Sequence, residues 1–275
     1  MGFSVGAPTS GASRVWGAIV NAYQKDPAGA TYLACGGSNF EEIRMRWRSI
    51  FAGAALFTAL GLCPSFAADA GHPTVVELFQ SQGCSSCPPA NANLLDIAGR
   101  PDILALSWQV TYWDHLGWKD TFAKPVFTQR QWDYAHAFRH AEVATPQVVV
   151  NGRAEGVGQR RAELDDLIHR FDRGDGGPAI RLEAGRAIVA GGSGPKASVL
   201  LVRYDPRILQ VPISAGENTG KTLPHRNVVR EVAVLGEWAG GTRAFALPAA
   251  TQGGLKEAIL VQEGAAGPII AAAHN

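Results

Sequence analysis

Apolar positions fall along the chain in two textures. In the first half they mark separated strands and helices. Thr74-Val75-Val76-Glu77-Leu78-Phe79 is β-branched and apolar and predicts a buried strand. Ala90–Ala98 reads as a helix, with Leu94, Leu95 and Ile97 apolar and Gly99 as its stop. Ile103–Val110 predicts a second strand. Thr111–Arg139 is polar and aromatic and reads as a loop followed by a helix over Arg130–Arg139. Gln147–Val150 predicts a third strand, Asn151-Gly152 a turn, and Arg153–Val157 a strand folding back on it. Ala162–Phe171 is an amphipathic helix, with Leu164, Leu167, Ile168 and Phe171 along one face.

Asp172–Pro178, rich in glycine, reads as a linker. Beyond it the runs are short: Ala179–Ala184, Arg186–Ala190, Ser198–Tyr204, Val228–Leu235, Thr242–Leu247 and Ala258–Gln262, punctuated by Gly, Pro and Asn. Such spacing predicts a β-rich, sandwich-like second domain over 178–273, after an α/β domain over 72–172.

The start of the chain carries a different pattern. Arg44, Arg46 and Arg48 precede an apolar run, Ile50–Leu62, and Ser65-Phe66-Ala67 sets small residues at the −3 and −1 positions of a cleavage site. This is the layout of a secretory signal peptide, here 45–67. The run is well short of the ~20 residues that span a bilayer, so no membrane span is expected after cleavage. Residues 1–44 show no sustained period, and Met45 would make a conventional start, so 1–44 reads as a doubtful leader from a misassigned start. The predicted location is periplasmic or secreted.

Composition narrows the chemistry. Of 275 residues, 46% are hydrophobic and 18% charged, which is globular, and a net charge of +1 offers no field for nucleic acid or an anionic membrane. No P-loop, G-x-G-x-x-G, H-E-x-x-H or EF-hand motif occurs, and no cofactor is expected. Of the four cysteines, Cys35 and Cys63 fall before the cleavage site, which leaves Cys84 and Cys87. A disulfide closing so short a loop stabilises little, so the pair reads as chemical rather than structural.

The motif is Ser81-Gln82-Gly83-Cys84-Ser85-Ser86-Cys87-Pro88-Pro89, directly after a strand and opening a helix. Backbone N–H groups at a helix N-terminus favour negative charge and raise the thiolate fraction of a nearby cysteine. Cys84 is then the attacking thiol and Cys87 the resolving one. If Cys87 caps the helix with Pro88 as its first residue, Cys84 sits in the preceding turn and its pKa is lowered less. Three other readings stand beside this one. One is half of a zinc site, for which only His136 and His140 offer a second pair. Another is a Cu(I) carrier, since two thiolates suffice for a linear site. The third is a non-catalytic binding protein whose cysteine pair is a vestigial clip.

Strand, C-x-x-C, helix, strand, insert and then Thr145-Pro146 before a strand resemble the thioredoxin superfamily. More closely, Val76–Pro89, Tyr112-Trp113-Asp114-x-Leu116-Gly117-Trp118 and Asn227-Val228-Val229-Arg230 resemble a bacterial family of secreted thioredoxin-like proteins of unknown function. The resemblance runs from about Thr74 to the C-terminus. It implies a thioredoxin-like fold for 72–172 and thiol–disulfide exchange with protein thiols or disulfides of the envelope. It also implies a cis Pro146 packed against the cysteines, with the Thr145 backbone free to pair with a substrate. Glu77 is the candidate for the superfamily's buried acid, a proton acceptor for Cys87. It stands seven residues before Cys84 instead of six, and a solvated strand-edge Glu is the alternative. Gly83 replaces the tryptophan expected before the first cysteine.

Two weaker constellations remain. Trp108, Trp113, Trp118 and Trp132, with Tyr112, Asp114, His115 and Asp120 among them, would either line a groove beside the thiols or cover a core. Gly216-Glu217-Asn218-Thr219-Gly220-Lys221, followed by His225-Arg226-Asn227, would either touch the cysteine site or a partner, or form an ordinary polar hairpin loop.

Overall fold

The computed structural model describes residues 68–275; the expected leader 1–44 and signal peptide 45–67 lie outside the described residues. β1 (Thr74–Gln80) leads into the cysteine motif and α1 (Pro88–Ile97), and β2 (Ile103–Gln109) returns parallel to β1. After α2 (Pro125–Ala137), β3 (Gln147–Val150) lies antiparallel to β1 and β4 (Ala154–Gly156) antiparallel to β3, and α3 (Arg161–Arg170) follows. The rest is strand: β5 (Ala179–Glu183), β6 (Arg186–Asp205), β7 (Leu209–Pro212), β8 (Thr222–His225), β9 (Val228–Ala246), β10 (Lys256–Glu263) and β11 (Ile269–His274). The fold is mixed α/β. Its centre is a nine-stranded sheet in the order β11-β10-β6-β9-β2-β1-β3-β4, with β5 paired to β6, and β7 and β8 form a separate hairpin.

The alternation of β1 sorts the core. Val76 and Leu78 face α1 and α3 with Ala90, Leu94, Ile97, Leu164 and Ile168. Val75 and Phe79 face α2 with Phe127 and Tyr134. Successive strand residues point to opposite faces, so β1 separates two chemical environments. α2 begins at Pro125, earlier than Arg130, with Pro125 at its first position. Its inner face carries Arg130 and Gln131 beside Phe127 and Tyr134, so no clean apolar stripe announced its first turn.

Two expectations are corrected. Instead of two domains joined by a linker, the described residues 68–275 fall in one compact unit. Asp172 accepts hydrogen bonds from Ala68 N and Thr74 Oγ1, so the 172–178 stretch is tied down at its start. The junction is stitched at Asn227, whose carbonyl accepts Ser107 N and whose Nδ2 donates to Ala105 O, where β9 meets β2. Asn227 has φ 51°, a left-handed conformation that asparagine tolerates.

Nor do the C-terminal strands make an independent sandwich; they continue the same sheet. The runs read as separate strands, 186–190 with 198–204 and 228–235 with 242–247, are single long strands, β6 and β9. Bulges at Gly191/Ser193, Ser193/Ala197 and Val199/Leu200 interrupt their pairing without ending it. Bulges bend and twist a strand, so glycines that look like strand ends mark curvature instead. The curl brings Val189 and Leu201 of β6 into one core with Trp238, Ile259 and Ala271.

Candidate redox site

The site is built where β1 ends. Cys87 is the N-cap residue of α1, with Pro88 and Pro89 in its first turn, and Cys84 lies one turn outside. Cys84 and Cys87 are joined as a disulfide, Cα–Cα 5.4 Å. The Thr145–Pro146 bond is cis, and the Thr145 carbonyl lies 3.8 Å from Cys84 Sγ. Ser86 Oγ stands 3.3 Å from Cys84 Sγ and donates to the same carbonyl at 3.3 Å. Cys84, Cys87, Thr145 and Pro146 therefore come together.

Glu77 does not join them. It is fully buried, on the α2 face of β1 with Val75 and Phe79, opposite the helix that carries Cys87. Arg130 donates to both carboxylate oxygens, from Nε at 2.7 Å and Nη2 at 2.9 Å, and the Tyr134 hydroxyl donates as well. The Glu77 charge raises the Arg130 pKa against the opposing pull of burial. This acid holds an arginine and is neither a proton acceptor for Cys87 nor a solvated edge residue. Beneath α1 the buried polar groups are neutral. Gln80 Nε2 donates to Asn91 Oδ1 and Ser107 Oγ, Gln109 Nε2 also donates to Ser107 Oγ, and Asn91 Nδ2 reaches the Pro224 carbonyl.

The segment leading into Cys84 is clamped at Gln82. Its N–H donates to Asp120 Oδ2 at 2.7 Å, and its side-chain carbonyl accepts Trp118 Nε1 and Thr121 N. Burial, reinforced by nearby Asp114, pushes the Asp120 carboxyl up to about 6, against the opposing pull of backbone donors from Gln82 and Phe122. Gly83 lies beside Trp113, whose Nε1 donates to Thr145 Oγ1 at 2.7 Å.

The aromatic cluster divides. Trp113 and Trp118 serve the site; Trp108 is core, stacked on Phe79, and Trp132 lies on α2 against His136. His115 is exposed, and His140 pairs with Glu155 instead of joining His136. Among the described residues no group of three or more potential ligands could hold a metal.

The polar loop 216–221 touches the cysteine motif. Glu217 Oε2 accepts Ser85 N at 3.1 Å, and Asn218 Nδ2 donates to the Gln82 and Cys84 carbonyls, both at 2.9 Å. Sequence reasoning missed Gln159, whose Nε2 donates to the Ser86 carbonyl at 2.6 Å. Its only signal was Gly158, at φ +75°, where a Cβ would stand 2.4 Å from Val148.

A crystal structure of an Agrobacterium tumefaciens protein superposes with a TM-score of 0.62 at 29% identity, covering 75% of this chain and 94% of that one. HBP35 of Porphyromonas gingivalis, at 14% identity, shares the fold with a TM-score of 0.54 over 76% of each chain. No curated protein matches. Residues 75–262 match the family described as "Protein of unknown function (DUF1223)", and the chain belongs to that family.

Proposed function

We propose that this chain is an exported thiol–disulfide oxidoreductase with a thioredoxin-like arrangement of β1 to α3, acting on protein thiols or disulfides of the bacterial envelope. The observation that carries the reading is the Cys84–Cys87 pair at the N-terminus of α1, with Cys84 Sγ 3.8 Å from the Thr145 carbonyl. Export rests on the basic n-region, apolar run and cleavage pattern of 45–67. Among the described residues no helix is long and apolar enough to cross a membrane.

In the oxidised state a substrate thiolate attacks Cys84 Sγ. The Cys84–Cys87 bond breaks, a Cys84–substrate bond forms, and Cys87 leaves as a thiolate. A second substrate thiolate then attacks the substrate sulfur and expels Cys84, so the substrate is oxidised by two electrons and the pair reduced by two. In reverse, the Cys84 thiolate attacks a substrate disulfide and Cys87 resolves the mixed disulfide. Ser86 Oγ is close enough to donate to the Cys84 thiolate, and the N–H groups of α1 favour its charge. No cofactor is needed.

The test is mechanism-based trapping. Cys87→Ala leaves a mixed disulfide that cannot be resolved, so adducts accumulate in cells, and acid quenching with mass spectrometry identifies them. Cys84→Ala collects far fewer. Absence of adducts from both variants under oxidising conditions would overturn the reading.

A further inference from the structure

We propose that the loop joining β7 and β8, acting through Glu217 and Asn218, occupies the backbone positions that an extended polypeptide substrate takes at the cysteine site. Only a partner able to displace the loop then reaches Cys84; the proposal rests on the oxidoreductase reading. The two sulfur-bearing residues are closed off, Cys84 0% and Cys87 2% exposed, although Ser85 and Ser86 between them face solvent. Exchange requires a thiolate to approach Cys84 Sγ along the S–S axis, so with Cys84 fully buried the site must open before it reacts.

The contacts of the loop on the cysteine motif have a particular chemistry. Glu217 Oε2 accepts the Ser85 N–H at 3.1 Å, and Asn218 Nδ2 donates to the Gln82 and Cys84 carbonyls at 2.9 Å each. One acceptor and two donor contacts thus satisfy the main chain on either side of the attacked sulfur. A peptide backbone carries both donors and acceptors along one edge, as strand pairing requires. A small thiol such as dithiothreitol has no such edge.

The loop is built to be displaced as a unit. Asn218 is fully buried, and Lys221 Nζ fixes its Oδ1 at 2.9 Å. The loop closes on itself through Gly220 N to Ile213 O and Ile213 N to Lys221 O, with Gly216 and Gly220 at φ +76° and +81°. Glu217 is exposed, so its single contact is the first to yield to a competitor. The sequence of this loop marked it as polar; the structure adds that its polar groups are spent on the redox motif.

The experiment uses the purified oxidised protein, 68–275, and two reductants: dithiothreitol and a reduced, unfolded polypeptide bearing two cysteines. Reaction is stopped with acid and the free thiols alkylated and counted. Glu217→Ala, Lys221→Ala and Asn218→Ala are each expected to react with dithiothreitol at least 10-fold faster than the parent. The polypeptide rate rises by a smaller factor, because the polypeptide already displaces the loop. Equal dithiothreitol rates in parent and folded variants would overturn the clasp. An equal gain for both reductants would overturn the polypeptide assignment and leave a simple cover. If Asn218→Ala does not fold, the exposed Glu217 and Lys221 variants decide the matter alone. The dithiothreitol arm needs no partner. A faster variant together with empty trapping gels would therefore defeat the oxidoreductase reading and spare the clasp, and the converse result would do the opposite.

Discussion

On the α2 side of β1, polarity is buried as charge: Glu77 and Arg130 form a bidentate pair, with Tyr134 on the carboxylate and Gln262 on the guanidinium. On the α1 side, three residues further along β1, it is buried as neutral amide and hydroxyl: Gln80, Asn91, Ser107 and Gln109. The thiols sit above the neutral face. A carboxylate beneath them would disfavour the Cys87 thiolate and so oppose its release when the disulfide is attacked. Keeping the ion pair behind the sheet gives the fold a specific cross-link between β1, α2 and β10 while leaving the cysteine pair free of it.

The largest expected effect comes from breaking the charged face. Arg130→Met leaves Glu77 buried without its partner and is expected to cost about 3–5 kcal/mol in urea unfolding. The double variant Glu77→Leu/Arg130→Met recovers most of that loss, because no charge remains unpaired. Glu77→Gln should leave the Cys84–Cys87 potential within about 30 mV of the parent, equivalent to about 1.4 kcal/mol. A larger displacement would mean that the two faces communicate and would end the comparison.

Much of this was legible in the sequence, and the failures have physical causes. β1, β2, β3 and the cysteine motif were readable because β-branched runs and C-x-x-C are local signals. The partnership of Cys84 with Thr145 followed from resemblance. Glu77 was misread because the side it faces depends on strand register, and a one-residue offset moves a side chain to the opposite face. The unity of the chain was hidden because Asn227 joins β9 to β2 across more than a hundred residues. The glycines of β6 and β9 looked like breaks because a bulge and a turn use the same residues. Asn218 belonged to a loop already marked as polar, but nothing local could say that its two donor hydrogens end on the Gln82 and Cys84 carbonyls.

The converse experiment puts charge where the fold has none. Gln80→Glu preserves shape but loses the amide donor shared by Asn91 and Ser107, and it buries a carboxylate without a counter-ion. A loss of about 3 kcal/mol at pH 7 is expected, relieved toward low pH as the acid is protonated. The Cys87 thiol pKa should rise in the reduced variant, read by alkylation rate against pH. Stability equal to the parent at pH 7 would show that water or a mobile cation reaches this face.

Two further groups are buried without an ion pair among the described residues, and they oppose one another. Burial pushes the Asp120 carboxyl up to about 6, so between pH 4 and 6 the native state holds more protons than the unfolded chain and stability falls as pH rises. Burial takes His225 down to about 4, so between pH 4 and 6.5 the unfolded chain holds more protons and stability falls as pH drops. Each contribution is on the order of 3 kcal/mol, and together they nearly cancel. The parent should thus be nearly flat in this window with respect to these groups. Asp120→Asn should lose stability toward acid, and His225→Phe, packed against Phe122, should gain it. Parallel pH profiles for parent and both variants would show that neither group is desolvated.

The smallest expected effect measures how tightly the neutral face is coupled. Ser107 Oγ accepts from both Gln80 Nε2 and Gln109 Nε2 at 2.8 Å, so Ser107→Ala removes one acceptor from two buried donors. Gln80 keeps Asn91 as a partner, whereas Gln109 Nε2 loses the Ser107 oxygen to which it donates. The cost should therefore come mainly from Gln109, about 1–2 kcal/mol in urea unfolding. Gln109→Met removes that donor together with a side-chain oxygen that already lacks a partner. In the Ser107→Ala/Gln109→Met double variant the losses should fall short of their sum by about 1 kcal/mol. The same cycle on Glu77 and Arg130 should give a coupling several times larger, because there each single variant strands a full charge. If the two cycles returned equal couplings, charge and neutral polarity would be interchangeable across β1, and the separation of the ion pair from the thiols would have no energetic meaning.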